Sequence, residues 1–199
     1  MNERSFIWIS MKNQTKIIDA ATACFISKGF HATSMRDIAK NAGVSIGNIY
    51  NHFKSKTDLV LAIADEESRE ILEVKDYFST PKDHAVPTVI EFSFLLLHDL
   101  KKPGVGPLML EIAAEASRNL EIANAFEANR KQLTDYIKTY LQKCQELGEI
   151  SNELDATQAS YFILELVEGM SLRHPIGNYR DHAKTKKELA LILTKYLTP

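Results

Sequence analysis

Apolar residues recur every three to four positions along almost the whole chain, which is the period of an amphipathic α-helix. The clearest early stripe predicts a first helix over about 12–28 that ends at Gly29. Its members are Ile17, Ile18, Ala21, Cys24 and Phe25. No run shows the convincing alternation of apolar and polar residues that marks a half-buried strand. The pattern therefore predicts an all-α protein.

Capping and helix-breaking residues divide the rest of the chain into further helices. Two short helices are expected after Gly29, and longer ones are predicted to end near 78, 100, 117, 147, 172 and 196. Pro81 and Pro87 are expected to interrupt the helical pattern. Residues 101–107 predict a turn and 173–179 a loop. Nine helices are predicted in all, without internal repeats.

The segment Thr33–Lys56 has the composition of two short helices joined by a tight turn. Its predicted caps and turn residues are Ser34 with Asp37, Asn41-Ala42-Gly43, and Ser45. On the second helix Ile49 and Phe53 share one face, and polar residues take the other. A short second helix with a polar face is the geometry that enters a DNA major groove. The segment therefore predicts a helix-turn-helix.

Many fixed spacings around this segment resemble the DNA-binding domain of the tetracycline-repressor (TetR) family. The matching residues are Phe25, Gly29 and Phe30; Thr33, Ser34, Arg36, Asp37, Ile38 and Ala39; and Ala42, Gly43, Val44, Ser45, Gly47, Ile49, Tyr50, His52, Phe53, Ser55, Lys56 and Leu59. The resemblance covers roughly residues 14–60. It implies a three-helix DNA-binding domain followed by a roughly six-helix domain for effector binding and dimerisation, with the fourth helix joining them.

On this basis residues 12–56 are predicted to be the DNA-binding domain and 57–199 the effector and dimerisation domain. Residues 1–11 fit the helical pattern poorly and predict a disordered N-terminal extension, with a start at Met11 as the alternative.

The charged residues are distributed unevenly between the N-terminal segment and the rest of the chain. Residues 1–56 hold eight Lys or Arg and three Asp or Glu, an excess of five positive charges. The remainder holds 16 and 23, an excess of seven negative charges. Residues 1–56, called the head below, are therefore basic, and a basic domain is suited to binding a polyanion.

The polar face of the second helix supplies most of the predicted DNA contacts. Asn48 and Asn51 carry the amide that pairs with adenine, and Ile46 suits a thymine methyl group. The resemblance implies that Tyr50, His52 and Lys56 contact DNA. The full predicted set is Arg36, Ser45, Ile46, Gly47, Asn48, Tyr50, Asn51, His52 and Lys56. The alternatives are that Tyr50 packs at the edge of the head, that His52 holds the following turn, and that Asn51 is merely solvated.

The resemblance also implies a homodimer and a small-molecule effector whose binding moves the heads through the fourth helix. The predicted dimer surface comprises Ala159, Ile163, Leu166, Val167, Met170, Leu189, Ile192, Leu193 and Tyr196. The alternative is that these residues all face the core of the monomer. The predicted effector pocket comprises Phe92, His98, Met109, Ile112, Tyr136, Tyr140, Phe162 and Glu165. Glu165 is either a polar anchor in that pocket or an exposed glutamate.

Other classes of function find little support in the sequence. The six histidines are scattered without the spacing of a metal site, and no phosphate-binding or nucleophile motif is present. Neither enzymatic activity nor a cofactor is therefore expected. Cys24 and Cys144 do not form a disulfide framework, and no apolar run predicts a signal peptide or a membrane span. A cytoplasmic regulator of transcription is the prediction; the rival is a helical ligand-binding or interaction module that does not bind specific DNA.

Overall fold

A computed structural model describes residues 3–79, 84–100, 103–172 and 182–198 of the chain. Within these ranges every regular element is an α-helix, which confirms the predicted all-α class. The helices are α1 Glu3–Lys28, α2 Met35–Ala42, α3 Ile46–His52, α4 Lys56–Ser79, α5 Ala85–Leu100, α6 Val105–Ala116, α7 Leu120–Glu146, α8 Ala156–Leu172 and α9 His182–Leu197. The predicted loop at 173–179 lies outside the described residues. No described helix has the length and apolar composition needed to span a membrane.

Helices α1, α5 and α6 begin earlier than the sequence predicted. The helix expected from about residue 12 begins at Glu3, so it includes most of the residues assigned to an extension. Neither Gly nor Pro interrupts that stretch, and an acidic residue in the first turn favours a helix. Pro87 and Pro107 each occupy the third position of a helix, α5 and α6. Amides in the first turn have no partner within the helix, so a proline there loses no hydrogen bond.

The helices form two compact units. The first unit comprises Met1–Ser68 and Pro107–Glu127, and the second comprises Arg69–Gly106 and Ala128–Pro199. The predicted boundary at residue 56 differs from this division, because the first unit also contains the start of α4, nearly all of α6 and the start of α7. Sequence patterns report where helices begin and end, whereas contacts between distant segments decide which helices pack together.

Each unit has its own apolar core. The largest fully buried side chains of the first unit belong to Ile17, Phe25, Ile38, Ile49, Leu59 and Ile122. Those of the second unit belong to Ile137, Leu141, Ile163, Leu164, Leu189 and Leu193. In the first unit, residues from α1, α2, α3, α4 and α7 meet in one cluster. This shared core holds the two short helices of the predicted helix-turn-helix in place.

Candidate nucleic-acid interface

The two short helices begin and end on the capping residues that the sequence predicted. Asp37 donates its amide to Ser34 Oγ at 3.1 Å, and Ser34 donates its amide to Asp37 Oδ2 at 3.0 Å, which completes a capping box. Gly43 ends α2 in the left-handed region with φ 66°, where a side chain would be strained. Ser45 Oγ then accepts the amide of Asn48 at 3.1 Å and begins α3. Local sequence thus fixes the turn between α2 and α3.

The two faces of α3 differ as predicted. Ile49 and Phe53 are buried in the core of the first unit, at 0% and 3% exposure. On the other side Tyr50 is 43% exposed, and Asn51 is also exposed. This exposure is compatible both with a DNA contact and with the alternative that Tyr50 packs at the edge of the head, so its DNA contact stays a prediction. The helix presents a polar outer face that is anchored by two buried apolar side chains.

Asn48 differs from Asn51 although both carry the same amide. Asn48 is half-buried, and its Oδ1 is buried without a hydrogen-bond partner among the described residues. A bidentate contact with adenine needs both the oxygen and the nitrogen of the amide. Asn51 exposes its side chain, so it is the better placed of the two for such a contact.

Lys56 has partners within the protein that the sequence did not reveal. Its ammonium donates to the carbonyl oxygens of Phe30 and His31 and lies 4.4 Å from the centroid of the Phe30 ring. Burial lowers the pKa of the Lys56 ammonium below its ordinary value. The predicted phosphate contact of Lys56 stays a prediction, and the structure adds a role in holding the turn between α1 and α2.

Exposed cations also lie on and beside the two short helices. Arg36 and Lys40 are exposed on α2, and Arg36 is one of the predicted DNA contacts. Lys54 was not predicted; it is exposed, and its ammonium donates to the carbonyl of Tyr50 at 2.5 Å. That carbonyl belongs to the last turn of α3, where a cation is favoured by the helix dipole. The sequence signal for this contact was a lysine placed two residues after the end of α3.

Acid titration of Asp37 tests the geometry at the start of α2. Its carboxylate accepts from Lys28 Nζ at 2.8 Å and from Ser34, and these bonds hold the pKa of Asp37 well below its ordinary value of 3.8. Since the folded pKa is depressed, the stabilising contribution is complete at neutral pH and is lost as the pH falls below 3.8. In an NMR titration we expect the Asp37 carboxyl to titrate well below its ordinary pKa of 3.8. Lys28→Met should move its pKa up, and a wild-type value near 3.8 would contradict the geometry.

Comparison with known proteins decides the family. Residues 17–63 match the family described as bacterial regulatory proteins, tetR family. The chain is 31% identical to the HTH-type transcriptional regulator UidR of Escherichia coli strain K12 over 159 residues, which is 79% of each protein. The chain belongs to the TetR family. Like UidR, it is a DNA-binding transcriptional regulator.

Solved structures of the TetR family agree with this assignment over nearly the whole chain. Salmonella enterica GusR is 27% identical with a TM-score of 0.78, and the match covers 94% of this chain and 95% of GusR. FadR from Bacillus subtilis, solved in complex with stearoyl-CoA, is 22% identical with a TM-score of 0.77. That match covers 90% of this chain and 96% of FadR, and at this identity it shows the shared fold alone.

The predicted effector-pocket residues of this TetR-family chain are divided between the two units. Met109 and Ile112 lie in the first unit, where Ile112 packs against the core of the head. The other six lie in the second unit. There Phe92 and Tyr140 are buried around Phe78, with ring centroids 4.8 and 4.9 Å from it. Burial raises the pKa of Tyr140 to about 12.

Three of the predicted pocket residues lie on the surface of the second unit. His98 is exposed on α5. Phe162 is 42% exposed, and the Glu165 side chain is 65% exposed and lies 3.4 Å from Arg130 Nη2. None of the three is enclosed within the second unit, and this exposure favours the exposed alternative for Glu165; their assignment to the pocket stays a prediction. Phe162 and Glu165 are three positions apart, so the period of α8 places both on its outer face.

The predicted dimer surface is also divided, between buried and exposed positions. The buried members, all at 0 or 1% exposure, are Ala159, Ile163, Val167, Leu189 and Leu193. These belong to the core of the second unit, so their assignment to the dimer surface is corrected. Ile192 is 43% exposed, and Leu166, Met170 and Tyr196 are half-buried. Phe162, which was assigned to the pocket, and Leu191, which the prediction omitted, are exposed beside them in sequence.

Proposed function

We propose that this TetR-family regulator is a repressor that binds a palindromic operator as a homodimer and is released by a small molecule. The observation that carries the proposal is the two-faced helix α3. Its buried residues fix it to the head, and its outer face offers Tyr50 and Asn51. Exposed Arg36 and Lys40 supply cations for the phosphate backbone. Repression, rather than activation, is the usual action implied by the family resemblance.

The short length of α3 favours a dimer. A helix of seven residues reaches only a few base pairs, so high specificity needs two copies. Two recognition helices related by a twofold axis read half-sites about 34–36 Å apart, which is one turn of DNA. The expected operator is therefore a palindrome with its half-sites about one helical turn apart.

Helices α8 and α9 supply the surface that a second copy would cover. Phe162, Leu191 and Ile192 are large apolar side chains, each between 42% and 48% exposed. The ring of Phe162 lies 4.9 Å from that of Tyr196, so the two helices share an aromatic contact on this side. Burial of such residues against a symmetry-related copy is favourable at roughly 25 cal/mol per Å². We therefore propose a dimer surface formed by Phe162, Leu166, Met170, Leu191, Ile192 and Tyr196.

Ile192→Glu tests this surface. The substitution places a charge among apolar side chains that a dimer would bury, and removing an unpaired charge from water is costly. We expect a homodimer for the wild type and a monomer for Ile192→Glu at micromolar concentration in sedimentation velocity. Leu147→Glu is the matched control, because Leu147 is 73% exposed just after α7 and lies outside this surface. A monomeric wild type, or an unchanged dimer in Ile192→Glu, would contradict the proposal.

The effector site is proposed to lie in the second unit, close to its aromatic residues. Tyr77, Phe78, Phe92 and Tyr140 form a connected group with ring centroids between 4.8 and 5.8 Å apart. Ligand pockets are mostly apolar with a few polar groups that orient the ligand. The Tyr136 hydroxyl, which accepts from Gln132 Nε2 at 2.9 Å, is one such group on α7. An effector that favours the released state by 1–3 kcal/mol would lower operator affinity about 5- to 150-fold.

Proteins that share this fold were solved with chemically different ligands. FadR from Bacillus subtilis was solved with stearoyl-CoA, and a regulator from Saccharomonospora viridis was solved with choline. Both are below 25% identity to this chain, and their ligands differ greatly in size and charge. The shared fold therefore accommodates ligands of very different chemistry. Because a regulator of transcription acts on the chromosome, we also infer a cytoplasmic location.

Selection from random DNA tests the proposed function directly. The full-length protein should enrich a twofold-symmetric sequence, and its affinity should fall steeply as salt rises. Specific binding should exceed nonspecific binding by at least about 10³-fold. A screen of small molecules for release of the selected operator would then find the effector. Enrichment of no sequence would favour a helical ligand-binding module instead.

A further inference from the structure

The turn that joins α1 to α2 depends on side chains from distant parts of the first unit. This α1–α2 turn comprises residues 29–33 and leads directly into the capping box of α2. Gly29 has φ 81°, in the left-handed region, and its amide donates to the Phe25 carbonyl at 2.9 Å. Thr33 Oγ1 donates to the carbonyls of Cys24 and Gly29 at 3.1 and 2.8 Å. These bonds complete the end of α1 without help from other elements.

The amide of Phe30, by contrast, finds its acceptor on another helix. When a helix ends on a left-handed glycine, the next amide commonly returns to a carbonyl of the last turn. Here the Phe30 amide donates instead to Glu111 Oε2 on α6, at 2.8 Å and 81 positions along the chain. Phe30 as a residue is only 9% exposed and the bond is partly buried, so loss of this acceptor would leave a partly buried donor without its partner. A single carboxylate therefore holds the middle of the α1–α2 turn.

Neighbouring groups on α6 and just after it contact the same turn at His31. Glu115 is 8% exposed, and its Oε1 lies 2.8 Å from His31 Nε2. Arg118 Nη1 lies 3.3 Å from the same imidazole nitrogen and 3.8 Å from Glu115 Oε1. Lys56, at the start of α4, donates to the Phe30 and His31 carbonyls. The backbone of the turn is thus held from α6 through its amide and from α4 through its carbonyls.

We propose that Glu111 is a positioning residue for DNA binding, which sets the conformation of the α1–α2 turn and through it the orientation of α2 and α3. The turn ends one residue before Ser34, the N-cap of α2, and α2 packs against α1 in the same core as α3. A head that samples other turn conformations binds DNA only during the fraction of time spent in the competent one. Glu111 raises that fraction although it does not belong to the helix-turn-helix.

The negative charge of Glu111 and its hydrogen bond to the Phe30 amide predict opposite effects on operator affinity. Removing the side chain therefore distinguishes an electrostatic role from a positioning role. Removing a carboxylate from a DNA-binding unit should strengthen attraction to a polyanion. Removing the acceptor of the Phe30 amide should weaken specific binding. We expect Glu111→Ala to bind the selected operator roughly tenfold more weakly, since a hydrogen bond to a charged group is worth about one power of ten or more. Its affinity for nonspecific DNA should match or exceed that of the wild type.

Conservative and matched variants separate these causes. Glu111→Gln keeps an oxygen that accepts the Phe30 amide, although as a weaker neutral acceptor, so it should recover most of the operator affinity that Glu111→Ala loses. Glu127→Ala is the control, because Glu127 is an exposed glutamate of α7 in the same unit. It should not weaken operator binding. Unchanged affinity in Glu111→Ala, or equal losses in Glu111→Ala and Glu111→Gln, would overturn the proposal.

Gly29→Ala supplies an independent measurement of the same contact. A Cβ at Gly29 would lie 3.3 Å from Glu111 Oε2, which is tight enough that the carboxylate bonded to the Phe30 amide would have to shift slightly. The left-handed φ adds a strain that does not depend on Glu111. In a double-mutant cycle the loss of operator affinity from Gly29→Ala should therefore be smaller in Glu111→Ala than in the wild type. Additive losses would contradict the coupling.

The affinity measurements rest on the proposed function, because they need a specific operator. Hydrogen exchange of the Phe30 amide in DNA-free protein does not. We expect that amide to exchange at least about tenfold faster in Glu111→Ala than in Glu111→Gln, with the amides of α7 unchanged. If the wild type bound no selected operator but this difference held, the proposed function would fail and the role of Glu111 in the turn would stand. Equal exchange in both variants would overturn that role.

Discussion

Asn51→Ala is expected to reduce operator affinity by about 30- to 10⁴-fold while leaving the thermal midpoint of unfolding unchanged. A good bidentate contact with a base contributes about 1–3 kcal/mol of discrimination, and each operator would meet two copies of the side chain. The Asn51 side chain is exposed on α3, so its removal takes nothing from the core of the first unit. Fluorescence anisotropy with the selected operator measures the loss, and circular dichroism measures the midpoint.

Asn124→Ala is the matched control for this prediction. Asn124 is also an exposed helical asparagine of the first unit, but it lies on α7 rather than on α3. It should leave both operator affinity and stability unchanged. Because Asn51 would contact a base, its loss should change sequence preference at one position and leave the salt dependence intact. A uniform loss of affinity on all sequences would show that Asn51 contacts phosphate instead.

Ile49→Ala should have the opposite outcome, a large loss of stability. Ile49 is fully buried in the first unit, and truncation of a buried isoleucine to alanine costs about 2–5 kcal/mol. We expect urea denaturation to report that loss, together with a loss of operator binding because α3 is no longer anchored. Ile49→Val should cost only about 0.5–1.5 kcal/mol.

Leu120→Ala is the control on an exposed apolar residue of the same unit. Leu120 is 75% exposed, so its truncation should change the free energy of unfolding by less than about 0.5 kcal/mol. If Ile49→Ala were as stable as Leu120→Ala, the assignment of the inner face of α3 would be wrong. Asn51 and Ile49 are two positions apart, and the contrast between them follows from the helical period alone.

The head was predictable because its signals are local. Ser34 with Asp37, Gly43 and Ser45 act within three or four residues, and each occupies the role that its residue type predicts. The buried pair Ile49 and Phe53 follows from helical spacing in the same way. Such short-range signals do not depend on where the rest of the chain lies.

Contacts between distant residues were not predictable in this way. Lys56 was assigned to phosphate by resemblance, and only the folded chain places its ammonium on the Phe30 and His31 carbonyls. The bond between Glu111 and the Phe30 amide spans 81 positions and leaves no pattern in either segment. The two prolines gave the reverse error, a predicted interruption where a helix is present. Pro87 and Pro107 lie in the first turns of α5 and α6, where a proline does not interrupt a helix.

Helix α8 shows most clearly what the sequence determines and what tertiary packing determines. The sequence by itself determined that residues 156–172 form a helix with apolar residues around much of its circumference. It did not determine which of those residues meet the core, because periodicity gives relative angles and not the direction of neighbouring helices. Tertiary packing against α5 buries Ile163 and Val167 and leaves Phe162 exposed. The sequence thus determined the helices and the reading face of the head, whereas packing between distant segments decided the division into units and the exposed apolar surface.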